Sequence, residues 1–224
     1  MYDEMLLTNT ANMLAMKRRV CVFKAQGKMT STIRALTELL QTFQTDVESW
    51  KELVTLYMAS GDMKKALYCQ EEVVLADPHN YQNHNRYADL LYTLGGAHNL
   101  RSARRHYAQS LELSPENNLR GAYGLCLSSY SLSTLASTKQ KGKKKSVKAV
   151  DVSSDEDELN KMLFEKSLEL LRTNYRESSL LKQVESMNQK LQKTFGQNDK
   201  LVARHSSGNS RRATDEGAKV GDID

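Results

Sequence analysis

Between Thr45 and Pro78 the chain reads TDVESWKELVTLYMASGDMKKALYCQEEVVLADP. Trp50, Leu53 and Tyr57 recur at helical spacing and make one apolar stripe, so the first half of the stretch reads as an amphipathic helix. Thr45 followed by Glu48 reads as a capping box that opens it. Gly61 supplies a tight turn, because a residue without a Cβ enters positive φ at little cost. A second helix follows, and Pro78 stands just past it and prevents its continuation. Val54 and Ala66 are small where two antiparallel helices have to approach closely.

The stretch is one copy of a repeating unit. Gly27, Gly61 and Gly95 are spaced 34 residues apart, and Ala25-Gln26-Gly27-Lys28-Met29 matches Ala59-Ser60-Gly61-Asp62-Met63. Val20, Val54 and Ala88 share one register ahead of each glycine, and Phe23, Tyr57 and Leu91 share another. Leu6, Leu40 and Val74 repeat later in the unit, and Leu111 joins them after an insertion near Gly95-Gly96-Ala97-His98-Asn99. A period of 34 with small residues at fixed places is the tetratricopeptide pattern. Trp50, Leu53, Val54, Tyr57, Ala66, Val73 and Pro78 fall on its places, with Gln70 where an aromatic is expected. The expected fold is therefore all-α, a tetratricopeptide-type α-solenoid of antiparallel helix pairs. A third unit runs from Tyr81 to Pro115, and a fourth first helix is expected over 118–136. The first unit departs most, with Met16 in place of Trp50 and Thr32 in place of Ala66. Tyr2 and Leu6 fall in the register of Tyr107 and Leu111, so the chain reads as starting inside the second helix of an earlier unit. A solenoid end needs a polar cap, so the expectation is an N-terminally shortened form or one whose apolar edge a partner covers.

Outward from the repeats the composition shifts. Residues 137–150 hold six lysines and no acid, and residues 151–158 hold five acids and no base. Such blocks repel and stay solvated. The expected organisation is a solenoid over 1–136, a charged flexible linker over 137–158, two amphipathic helices over 159–195 and a disordered tail over 196–224. Leu180, Val184, Met187, Leu191 and Phe195 give the last helix its apolar stripe. The lysine block and the acid block nearly cancel, so the net charge of +5 is weak support for a nucleic-acid-binding face. No stretch approaches the roughly 18 apolar residues that cross a bilayer, and the opening residues lack a charged-then-apolar leader pattern. Three well-separated cysteines build neither a disulfide framework nor a zinc spacing, which points to a reducing compartment.

No catalytic, cofactor or metal constellation emerges, so the chain is read as a non-enzyme that binds other polypeptides through a surface. Cys21, Cys69 and Cys126 read as small packing residues, and Tyr57, Tyr68, Tyr87 and Tyr107 read mainly as core. Exposed positions on the first helices are the candidate partner-binding face: Lys17, Arg18, Lys51, Glu52, Gln82, Asn85, Arg86, Asp89 and Tyr92. The carboxylate clamp of chaperone-binding grooves would need Lys17, Cys21, Glu52, Gln82 and Arg86 to supply cations and amides. Only Lys17 and Arg86 match the residue types the clamp carries at those places, and Glu52 repels a docking carboxylate. Ser153 and Ser154 each have an acid three residues on, the pattern of an acid-directed kinase site. The lysine run reads as a solvated loop, with a nuclear signal or contact with anionic lipid as its functional alternatives.

Lys24-Ala25-Gln26-Gly27-Lys28, Asp77-Pro78-His79-Asn80 and the stretch 87–125 go beyond a generic repeat. The last includes Tyr92-Thr93-Leu94-Gly95-Gly96, Asn99-Leu100, Tyr107-Ala108-Gln109-Ser110-Leu111 and Gly124-Leu125. With these the chain resembles the family of subunit 2 of the endoplasmic reticulum membrane protein complex, over about residues 15–136 and more loosely to about 195. The resemblance implies a scaffold on the cytoplasmic face of that membrane, peripheral to it through the other subunits of the complex. The complex would insert tail-anchored and multi-pass proteins. It implies no nucleic acid, small-molecule substrate or cofactor. The reading from another class is a soluble tetratricopeptide co-chaperone adaptor that binds peptide C-termini.

Overall fold

The computed structural model describes residues 2–116, 118–141, 154–176 and 181–193, and no strand occurs among them. The chain forms two compact units, Met1–Gly95 and Gly96–Asp224. The first holds α1 (Tyr2–Thr8), α2 (Met13–Ala25), α3 (Met29–Thr42), α4 (Val47–Ala59), α5 (Met63–Ala76) and α6 (Tyr81–Leu94). The second holds α7 (Ala97–Leu113), α8 (Leu119–Lys141), α9 (Ser154–Asn174) and a helical stretch over 181–193. The division falls inside the span that the periodicity groups as one solenoid.

The repeating glycines make the turns, and they make them in the same way. Gly27 and Gly61 have φ of 69° and 80°. After α2, Gly27 N donates to Lys24 O and Lys28 N to Phe23 O, both at 3.0 Å. After α4, Gly61 N donates to Met58 O at 3.1 Å and Asp62 N to Tyr57 O at 2.9 Å. These paired bonds close the last helical turn and satisfy carbonyls that a helix end leaves orphaned. Asp62 then caps the next helix, its Oδ1 accepting from Lys65 N at 3.3 Å. Gly95 and Gly96 both have positive φ, 69° and 83°, the conformation that favours glycine.

The start of α4 differs from the expected capping box. Asp46, not Thr45, is the N-cap, and its carboxylate does not bond the helix backbone. It accepts instead from Lys17 Nζ at 2.8 Å and from the Ser49 hydroxyl. A charged donor from α2 makes a stronger bond than a neutral backbone N–H and takes the side chain.

The core of the first unit gathers Met16 and Val20 from α2, Ala35, Leu36, Leu39 and Leu40 from α3, Leu53 and Val54 from α4, Ala66 and Cys69 from α5, and Leu90 from α6. Ala66 is fully buried, as its small size requires. Leu36 and Leu39 are 1% and 0% exposed, and each contributes about 1.5–3 kcal/mol by leaving water. Thr32 is tolerated inside because its hydroxyl donates to Lys28 O at 2.9 Å. Gln70, the departure from the repeat pattern, is buried and its Nε2 donates to Asn83 O at 3.1 Å, tying α5 to α6. The tyrosines divide: Tyr107 is buried, Tyr57 and Tyr87 are half-buried, and Tyr68 is 57% exposed rather than core. Cys69 and Cys126 are buried, whereas Cys21 faces solvent.

The second unit is built on a close helix contact. A Cβ on Gly124 would overlap the Tyr107 ring, and one on Gly121 would press on Ser110 and Asn118, so α8 lies on α7 at these glycines. Asn118 Nδ2 donates to Ser110 O at 2.9 Å while its Oδ1 accepts from Gly121 N at 3.0 Å, which caps α8 inside the contact. Along α9, Phe164, Leu168 and Leu171 recur at helical spacing and are fully buried, and α9 packs along α8. Arg104 Nη1 donates to Asn160 Oδ1, joining α7 to α9. Helix α8 runs to Lys141, past the expected boundary at 136. Helix α9 begins at Ser154, inside the expected linker. The rest of the lysine/acid stretch, 142–153, and the tail over 196–224 lie outside the described residues, as do Leu180 and Phe195.

Candidate functional site

The candidate face is carried by α2, α4 and α6, all in the first unit. The apolar positions of each helix point into the core just described, and the polar positions between them turn outward. On α2, Lys17 is half-buried and Arg18 exposed. On α4, Lys51 and Glu52 are half-buried. On α6, Gln82 and Arg86 are exposed and Asp89 and Tyr92 half-buried. Asn85 departs from the expectation of an open position: it is 4% exposed. Helical period alone places Asn85 beside Gln82, and it is buried together with Asn83 and His84 by the packing around α6.

Two ion pairs tie α2 to the α4 region, each through one predicted position, Lys17 or Glu52. Lys17 Nζ lies 2.8 Å from Asp46 Oδ1, and Lys24 Nζ lies 2.8 Å from Glu52 Oε1. Together they bind α2 to both the start and the middle of α4. Burial pushes the Asp46 carboxyl up, but hydrogen bonds from Lys17 and Ser49 and the Lys17 charge outweigh it and hold it below the usual carboxylate range. The Lys24 ammonium is held above its ordinary pKa by its hydrogen bond to Glu52 and by that carboxylate's charge. Glu52, read from the sequence as a repelling charge, is thus largely answered by Lys24. Sequence reasoning missed Asp46, because it gave the start of α4 to a capping box of Thr45 and Glu48.

The turn before α6 is also held. His84 Nε2 lies 2.8 Å from Pro78 O, and Asn83 Nδ2 donates to Asp77 O at 3.3 Å. These contacts fix the entry of α6 and hence the direction of Gln82 and Arg86. Among the described residues no group of three or more His, Cys, Asp or Glu side chains gathers to hold a metal ion, and no helix is long and apolar enough to cross a membrane. Burial pushes the Cys69 and Cys126 thiols up to about 11, so both stay protonated near neutral pH. Ser154 opens α9, and Ser153 lies outside the described residues.

Comparison with known proteins adds the following. The family model of the EMC2 TPR-like repeat domain matches residues 1–113. The ER membrane protein complex subunit 2-A of Xenopus laevis is 38% identical over 147 residues, covering 66% of this chain and 49% of that protein. The ER membrane protein complex subunit 2 of Dictyostelium discoideum is 36% identical over 141 residues, covering 58% and 44%. The chain thus spans about half the length of the curated relatives it matches. Among solved structures, a tetratricopeptide repeat protein from Parabacteroides merdae superposes with a TM-score of 0.53 at 12% identity, over 92% of this chain and 70% of that one. At that identity the likeness speaks for the fold, which is the all-α tetratricopeptide type.

Proposed function

The chain belongs to the EMC2 TPR-like repeat family, and from that premise we propose that it is a non-catalytic scaffold subunit of the endoplasmic reticulum membrane protein complex. In this reading it lies on the cytoplasmic face of the membrane, is held there by the other subunits, and supports insertion of tail-anchored and multi-pass proteins. It handles polypeptides, not nucleic acid or a small-molecule substrate.

The observation that carries the reading is the family likeness over 1–113, a span that includes α2, α4 and α6. Geometry supports a binding role for these helices. The Lys17–Asp46 and Lys24–Glu52 pairs set α2 against α4 before any partner arrives. A partner segment then meets a formed surface, and little ordering entropy is charged against its affinity. Arg18, Lys51, Gln82, Arg86, Asp89 and Tyr92 are the contacts this face offers, Lys17 and Glu52 hold it in place, and Asn85 is buried beneath it. The co-chaperone reading has less support, because Asp46 already engages the Lys17 ammonium that a carboxylate clamp would use. Ser153 and Ser154 remain its proposed sites for an acid-directed kinase.

The test is affinity purification of the tagged chain from cells in mild detergent. Recovery of membrane-embedded subunits, weakened by the double change Arg18→Glu and Arg86→Glu, is the expected result. Recovery of chaperones with no membrane subunit refutes the proposal.

A further inference from the structure

Helices α3, α4 and α5 line a cleft of ≈ 390 Å³, within the roughly 300–1,000 Å³ typical of small-ligand sites. It shares only α4 with the candidate face, and the inference does not rest on the family reading. Trp50, Tyr57 and Tyr68 stand in its walls. The Trp50 and Tyr68 rings meet edge to face, with centroids 6.1 Å apart and planes at 75°. Trp50 Nε1 donates to Gln44 O at 2.8 Å, which pins the indole in place. The third ring, Tyr57, already carries a cation: Lys65 Nζ lies 5.6 Å from its centroid.

Charge decides what else fits. The Lys65 ammonium is answered by Asp62 Oδ2 at 2.9 Å, outside the cleft lining. Glu72 is the acid in the lining, and no cation pairs with it among the described residues. Its charge raises the pKa of the neighbouring Tyr68 hydroxyl. A carboxylate entering here would meet Glu72 and be repelled. A cation would gain both the carboxylate and the aromatic faces. We propose that this cleft accepts an arginine side chain presented by a partner polypeptide, with its stem and guanidinium plane against Trp50 and Tyr68 and its charge against Glu72. Arginine suits the site better than lysine, because its flat guanidinium stacks on rings and pairs side-on with a carboxylate.

Trp50 is the sole tryptophan, so its fluorescence and indole N–H resonance report occupancy directly. The probes are N-acetyl-arginine amide, N-acetyl-norleucine amide and N-acetyl-glutamate amide, titrated onto the whole chain. The expected result is a saturable response to the arginine amide, at least about threefold tighter than to norleucine amide, weakened by added salt. Glu72→Gln is expected to weaken the arginine amide about three- to fivefold and leave the norleucine amide unchanged. Tyr68→Ala, at an exposed position that does not threaten the fold, is expected to weaken it as well. Equal binding of arginine and norleucine amides, a preference for the glutamate amide, a silent Glu72→Gln, or no saturable response to the arginine amide would each overturn the proposal.

Discussion

Replacing Gly124 by alanine sets two well-characterised effects against each other. In a solvent-facing helix the change stabilises by about 1 kcal/mol, since alanine is the better helix former. Here the new methyl falls on the Tyr107 ring, overlapping its Cε1, Cζ and Cδ1 positions. The ring cannot swing away into solvent, because Tyr107 is only 3% exposed. Inserting a methyl group into a packed contact costs about 1–3 kcal/mol, and overlap with a rigid plane belongs to the upper half of that range. Subtracting the propensity gain leaves a net loss of about 1–2 kcal/mol. For a chain of this size that lowers the melting temperature by about 2–8 °C. Urea unfolding followed by far-UV circular dichroism measures it, and Tyr107→Leu supplies the control. In the double variant the alanine should cost at least about 1 kcal/mol less than it does alone, well outside the roughly 0.3–0.5 kcal/mol within which independent sites add. Gly121→Ala should cost less than Gly124→Ala, because the side chains it meets, Ser110 and Asn118, can shift where a ring cannot. If Gly124→Ala raises the midpoint, α7 and α8 do not approach as described and the reasoning is wrong.

Other outcomes follow from the same structure. Ala66→Trp should overpack the core between α4 and α5 and cost about 1–3 kcal/mol or more, and an unchanged melting temperature would remove Ala66 from that contact. Asp46→Asn should destabilise at pH 7 by under about 1 kcal/mol, because its partner Lys17 is partly solvated. The Asp46 carboxyl is held below its unfolded value, so its stabilisation is present above about pH 4 and is lost as pH falls through the folded pKa. Wild type and Asp46→Asn should therefore draw together in urea midpoint as pH falls below about 4, and a penalty that stays the same as pH falls would contradict the pairing. Ellman's reagent at pH 8 should label Cys21 rapidly in the native protein and reach Cys69 and Cys126 only in denaturant, because burial pushes both of those thiols up to about 11. Rapid native labelling of Cys126 would place it at the surface.

Much of the first unit was legible because its information is local. Gly27, Gly61 and Gly95 mark turns through a backbone conformation that other residues enter only with strain, and their spacing needs no knowledge of the fold. Val54 and Ala66 announce close helix contacts by size alone. The face carrying Arg18, Gln82 and Arg86 follows from helical period. Where reading failed, a side chain had two plausible uses and a distant partner chose between them. Asp46 belongs to a cap or to Lys17, and Lys17, on α2, takes it. Tyr68 shares the pattern of a core tyrosine, yet its helix turns it outward beside Trp50.

The sequence by itself determined the helix class, the 34-residue period, the turn glycines and the family. Those depend on backbone preference and on which residues recur at which spacing. Only the tertiary structure decided that Gln70 bridges to Asn83, that Gly124 makes room for Tyr107, that Arg104 meets Asn160, and that Glu72 lines a cleft with aromatic rings in its walls. Each of these joins residues on different helices, and periodicity along one helix fixes which face a side chain occupies without fixing what that face will touch.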